Sequence, residues 1–202
     1  MNRLYFKYGA MGSSKTAQAL MCRFNYIQKG FNVLLIKPGI DNRFENGNSQ
    51  VVSRIGIKAD CIKFGKKDSL TALFAQQNKI KPVDVIIVDE CQFLTKAQVE
   101  ELKLLSREMP VLCYGLLTNF KTELFEGSKR LIELVDSLEE IKSVCKCGNK
   151  ATINGRFING KLTTTGKEVL IGAEETYQSL CYWCYKRELE EQEQENKKRK
   201  NK

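Results

Sequence analysis

Five short apolar runs mark the first two-thirds of the chain: "LYFKYG", "NVLLIKP", "VDVIIVDE", "VLCYGLL" and "LEEIKSV". Several are rich in β-branched residues and nearly unbroken by polar ones, which predicts strands covered on both faces. Between the first two lies "KTAQALMCRFNYIQKG", where Ala17, Leu20, Phe24 and Ile27 recur at helical spacing and Gly30 supplies a stop. "KAQVEELKLLSREMP" repeats that period and ends at Pro110. Such alternation predicts an α/β fold, a parallel sheet with helices on both faces.

The pattern fades after about Val144. The boundaries it predicts are an α/β domain over residues 1–143, a small second module over 144–185, and a charged, disordered tail over 186–202. A chain of 202 residues, 42% hydrophobic and 28% charged, has room for one core and such a module. No apolar run approaches the ~20 residues of a membrane span, and the opening residues lack the layout of a secretory signal. A cytoplasmic protein with no membrane partner is expected.

The net charge of +9 raises the question of nucleic acid, but the tail from Lys186 holds seven basic and five acidic residues and supplies only +2 of it. The rest is scattered, with no basic stripe interleaved with aromatics, so no nucleic-acid partner is expected. A modest positive field suits a protein that holds a polyanionic nucleotide. There is no histidine, so any general base is a carboxylate, cysteine, lysine or tyrosine.

"YGAMGSSKT" follows the first strand and opens the first helix, the context a phosphate loop requires. Gly9, Lys15 and Thr16 fall in Walker A register, while Ser14 stands where the pattern has glycine. The backbone N–H groups of Ala10, Met11, Gly12, Ser13, Ser14 and Lys15 are expected to face the phosphates of ATP. Lys15 reaches the β/γ oxygens and the Thr16 hydroxyl ligates Mg²⁺ in that scheme. A serine at position 14 is a mild replacement provided its φ stays below zero. The plainer alternative is a polar turn at a helix start.

"VIIVDECQF" ends a buried strand in Asp89 and Glu90, at the edge where α/β folds place ligands. Asp89 can hold Mg²⁺ and leaves Glu90 to accept a proton; the alternative is a strand ending in solvated acids. Eight cysteines in a cytoplasmic chain argue against disulfides. Cys145 and Cys147 in "CKCG" pair with Cys181 and Cys184 in "CYWC" as a Cys₄ set for structural Zn²⁺, reduced thiols being the alternative.

Taken together, these residues resemble the type II thymidine kinases, the P-loop class with a zinc-bearing lasso domain. The resemblance covers about residues 3–185 and rests on "LYFKYGAMGSSKT", "DNRF", "SRIG", "VDECQFL", "VLCYGL", "NFKTELFEGS", "CKCG" and "VLIGAEETYQSLC" in that order. It implies a P-loop NTPase sheet of RecA-like type with a small zinc ribbon and lasso. The implied activity is transfer of the ATP γ-phosphoryl group to the 5′-hydroxyl of thymidine, giving dTMP, with Glu90 as base. Arg54 matches a phosphate-side arginine, and Asp89 and Gln92 fall within the nucleotide motif. By the same resemblance Phe93 would pack beside the nucleoside, and Met11, Leu116, Phe120 and Phe125 match an apolar thymine pocket. Backbone groups of Glu168, Val169, Leu170, Ile171 and Gly172 match the lasso that reads the base edge, with Tyr177 closing the site. A homotetramer and feedback inhibition by dTTP are implied as well.

Two other classes remain open to the sequence. "DECQ" resembles the DExx box of nucleic-acid-dependent ATPases, although 202 residues leave no room for a second lobe. Ser14 also admits a nucleotide-binding module without turnover. Among nucleosides, a single 5-methyl group separates thymidine from deoxyuridine by only ~1–3 kcal/mol.

Overall fold

The computed structural model describes residues 3–39, 49–166 and 175–200. The chain divides into two units. The first comprises Met1–Tyr8, Ser14–Leu117 and Phe125–Ile141; the second comprises Gly9–Ser13, Thr118–Leu124 and Lys142–Lys202.

In the first unit the elements run β1 (Leu4–Tyr8), α1 (Lys15–Gln28), β2 (Val33–Pro38), β3 (Gln50–Val52), β4 (Lys58–Asp60), β5 (Ile62–Phe64) and α2 (Leu70–Ile80). They continue with β6 (Val85–Val88), a 3₁₀ turn (Cys91–Phe93), α3 (Lys96–Leu105), β7 (Val111–Gly115), α4 (Glu126–Leu134) and β8 (Ser137–Glu140). β3 and β4 form an antiparallel hairpin. The other six strands make one parallel sheet in the order β5-β2-β6-β7-β1-β8. Each of the five apolar runs supplies a strand of it. β5 escaped the pattern because it is three residues long.

β6 shows why the sheet needs cover on both sides. Ile86 and Val88 join one core with Leu102, Leu105 and Leu131, while Val85 and Ile87 join the other with Ala19 and Leu20. α3 begins at a capping box in which Thr95 and Gln98 satisfy each other's backbone N–H. α1 departs from expectation along its length. Ala17 and Leu20 are buried, but Phe24 is 59% exposed and Ile27 40%, so the apolar stripe runs past the core.

The second unit is built on an antiparallel sheet, β10-β9-β11, of β9 (Ile153–Ile158), β10 (Lys161–Thr163) and β11 (Glu175–Leu180), followed by α5 (Tyr182–Lys200). Ile153, Phe157, Leu162, Leu180 and Tyr185 form its core. The tail expected to be disordered from 186 continues α5 as far as Lys200. Its sequence suits a helix, with Glu193 four residues before Lys197 and basic residues at the C-terminal end. The sequence also gave no sign that two loops within residues 1–143, Gly9–Ser13 and Thr118–Leu124, belong to the second unit. No helix among the described residues is long and apolar enough to cross a membrane.

Candidate functional site

β1 ends at Tyr8 and α1 starts at Lys15, so residues 9–14 are the strand-to-helix loop the motif requires. Two backbone donors expected to face phosphate are engaged within the protein. Ser13 N–H reaches the Ala10 carbonyl at 3.2 Å, and Met11 N–H reaches Asn154 Oδ1 at 2.7 Å. The first is a local turn; the second comes from 143 residues along the chain, beyond any local pattern. Gly9, Ala10 and Ser13 are buried, and Gly12 is exposed.

Ser14 is the N-cap of α1, with φ 61° and ψ 22° and no side-chain cap bond. Its φ is positive, so the condition under which serine is a mild replacement is not met. A Cβ in this left-handed region costs roughly 1–2 kcal/mol. Ser14→Gly is therefore expected to stabilise the chain by about 1 kcal/mol and raise Tm by roughly 2–4 °C. A calorimetric scan checks this, and a lowered Tm contradicts it.

The first unit gathers the charged groups. Because β1, β7 and β6 are adjacent and parallel, the ends of β1 and β6 lie on one edge of the sheet with β7 between them. There the Thr16 hydroxyl donates to the buried Asp89 carboxylate, at 3.0 Å to Oδ2 and 3.3 Å to Oδ1. These are hard oxygen donors with one full charge, the set that suits Mg²⁺. Burial pulls the Lys15 ammonium below its ordinary pKa, and the nearby carboxylates of Glu90 and Asp89 pull it back up. Arg54, exposed on the turn between β3 and β4, adds a small push downward.

Glu90 also has a left-handed backbone, φ 53° and ψ 38°. Its Oε2 accepts from Gln92 Nε2 at 2.5 Å, while Gln92 Oε1 accepts from Leu116 N–H at 3.0 Å. Gln92 was expected at the nucleotide. It is 2% exposed, with one end of its amide on Glu90 and the other on Leu116. A Cβ on Gly115 would stand 2.5 Å from Gln92 Oε1 and 2.6 Å from Cys91 Sγ, so the amide fits only because that position is bare.

Of the expected nucleoside contacts, Phe93 and Phe125 meet edge to face with centroids 5.7 Å apart. Leu116 follows β7, held by its N–H to Gln92. Within the second unit, Phe120 is buried beneath the guanidinium of Arg156, whose Cζ is 4.7 Å from the ring centroid. Tyr177 lies opposite Arg156 across β9 and β11. Glu168, Val169, Leu170, Ile171 and Gly172 lie outside the described residues. Sequence reasoning missed Asn154, Arg156 and Ser179. The available signal was "INGRF", two polar residues at strand spacing between apolar Ile153 and Phe157.

The four cysteines converge as the sequence suggested. The sulfur atoms of Cys145, Cys147, Cys181 and Cys184 all lie within 4.8 Å of one another, and Cys147 Sγ is 3.6 Å from Cys181 Sγ. Tetrahedral Zn–S bonds of ~2.3 Å place sulfurs about 3.8 Å apart, so the set fits zinc despite its C-x-C spacing. Asn149 and Arg187 each direct an N–H at a sulfur, Cys147 and Cys184 respectively. The Asn149 backbone N–H, with the neighbouring thiols, holds Cys147 down to about 6, while the Cys147 side chain and burial push Cys184 up to about 12. Four thiols this close cannot all ionise without a cation, and four thiolates leave a metal no open position for catalysis.

Comparison with known proteins gives a consistent result. A family model described as "TK: Thymidine kinase" matches residues 2–185. A thymidine kinase of Zymomonas mobilis is 45% identical over 184 residues, spanning 90% of this chain and 94% of that protein. Those of Rhodopirellula baltica and Photorhabdus laumondii are each 40% identical, covering 92% and 95% of this chain and 89% and 96% of their own. Among solved structures, the ATPase DotB of Legionella pneumophila gives a TM-score of 0.41 at 12% identity over 74% of this chain and 43% of that one; the likeness is too slight to carry an argument.

Proposed function

The chain belongs to the thymidine kinase family and transfers a phosphoryl group from ATP to thymidine; on that premise we propose that Glu90 is the general base. The thymidine 5′-oxygen attacks the γ-phosphorus as its proton passes to the Glu90 carboxylate, and the bond from γ-phosphorus to the bridging oxygen of ADP breaks. Lys15 and the donors of the 9–16 loop neutralise charge on the transferring group, and exposed Arg54 adds to that field. Asp89 and Thr16 would hold Mg²⁺, which when bound would shield the triphosphate charge. Gln92 keeps the carboxylate of Glu90 aimed, and Phe93, Phe125 and Leu116 offer the apolar surface for the nucleoside. The observation that carries this is the Thr16–Asp89 contact, which joins the two motifs, with Glu90 next in sequence and close enough to act on Lys15. In a chain without histidine, a carboxylate is the fitting base. Following dTMP release from thymidine, ATP and Mg²⁺ in the native chain and in Glu90→Gln tests the assignment.

The same reading extends to assembly. Met21, Phe24 and Ile27 on α1, with Phe31 just beyond it, form an exposed apolar stripe, the kind of surface that self-association covers. A homotetramer using this stripe accounts for it. Phe24→Lys is expected to lower the mass measured by light scattering; an unchanged mass contradicts the assignment. dTTP joins a thymine to a triphosphate and so fits as an end-product inhibitor, checked by its effect on dTMP release. Eight cysteines, none of them paired in a disulfide, suit the reducing cytoplasm.

A further inference from the structure

The sheet of the second unit carries a polar face. Asn154 and Arg156 stand two residues apart on β9, and their cross-strand partners on β11 are Ser179 and Tyr177, so all four share one side. Two of them grip a single residue. Met11 donates its N–H to Asn154 Oδ1 at 2.7 Å, and its carbonyl accepts from the Ser179 hydroxyl. The other end of the Asn154 amide donates to the Thr118 carbonyl at 2.9 Å. Asn154 is 3% exposed, so its amide cannot turn without stranding both partners.

We infer that Asn154 and Ser179 are positioning residues for ATP: the zinc-bearing sheet holds the phosphate loop, through Met11, in the shape that receives the triphosphate. A strand-to-helix loop whose backbone donors must converge on an anion loses affinity whenever it samples other shapes, and ordering it in advance removes that cost. Fixing both polar groups of Met11 from one rigid strand pair does this without any side chain touching the nucleotide. The inference rests on reading residues 9–16 as the phosphate loop.

The test measures the Kd of a non-hydrolysable ATP analogue by calorimetry, alongside zinc content, for Asn154→Ala, Ser179→Ala, the double variant, Ser179→Thr and Lys15→Ala. Each alanine variant is expected to weaken binding on the order of 10-fold with zinc retained. The double variant is expected to lose less than the product of the two, since both act on Met11. Ser179→Thr, which keeps the hydroxyl, is expected to restore affinity, as a purely steric role would not allow. If Asn154→Ala loses its zinc, Ser179→Ala and Ser179→Thr decide alone. Native affinity in the zinc-loaded alanine variants, with Lys15→Ala impaired, overturns the positioning role and leaves the phosphate loop standing. Native affinity in Lys15→Ala overturns the loop reading itself.

Discussion

Glu90→Gln is expected to lower kcat by about 10²- to 10⁴-fold, the usual contribution of a positioned general base, which is roughly 2.7–5.5 kcal/mol of barrier. The exchange removes the proton acceptor with little change of shape. Glu90 Oε2 accepts from Gln92 Nε2 at 2.5 Å, and the new amide can present its carbonyl oxygen to the same donor. The bridge from Gln92 to Leu116 N–H then survives, and with it the end of β7. The left-handed backbone at Glu90 is also unaffected, since both side chains meet it alike. The loss should therefore fall on kcat, with thymidine affinity kept. A kcat within tenfold of native contradicts the assignment of Glu90 as base, and an equal rise in thymidine KM with intact kcat assigns it to binding instead.

Loss of the zinc ion that Cys145, Cys147, Cys181 and Cys184 would hold has the second large expected effect. The second unit has a small core of residues such as Ile153, Phe157, Leu162 and Leu180, with three of the four cysteines packed into it. A core of that size seldom holds a module alone, whereas structural zinc contributes about 10–16 kcal/mol in zinc-finger peptides. Cys184→Ser, or chelation under reducing conditions, is expected to unfold this unit. The first unit, whose two cores are built from the parallel sheet and its helices, should keep its far-UV signal. Because Met11 depends on Asn154 and Ser179, turnover should fall at least 100-fold even though a metal on four thiolates would have no open position for a reacting atom. Metal analysis, circular dichroism and dTMP release measured together check this. Full turnover in a chain shown to be free of zinc contradicts it.

Much of this machinery was legible in local patterns. The runs that became β2, β6 and β7 are nearly unbroken because both faces of those strands are covered, whereas β8 is an edge strand with Leu138 and Glu139 exposed. Lys15 and Thr16 were marked by their place at a helix start, and Asp89 and Glu90 by theirs at a strand end. The cysteine set was readable because metal ligands come in close pairs. What stayed hidden depends on distance or on dihedral angles. Nothing near Met11 announces Asn154, and nothing in "SSK" or "DEC" states that Ser14 and Glu90 adopt positive φ. The bond from Gln92 to Leu116 was not legible either, since it depends on the bare Cα of Gly115. The helix over residues 186–200 was obscured by its charge, which reads as disorder unless the spacing of Glu193 and Lys197 is weighed.

Crystallising the chain with thymidine, Mg²⁺ and a non-hydrolysable ATP analogue tests the proton-transfer geometry most directly. The expected result is a Glu90 carboxylate oxygen within ~2.6–3.2 Å of the 5′-hydroxyl, still tethered to Gln92, with the γ-phosphate on the far side of that hydroxyl. A carboxylate swung away from the sugar, with another group in its place, contradicts it.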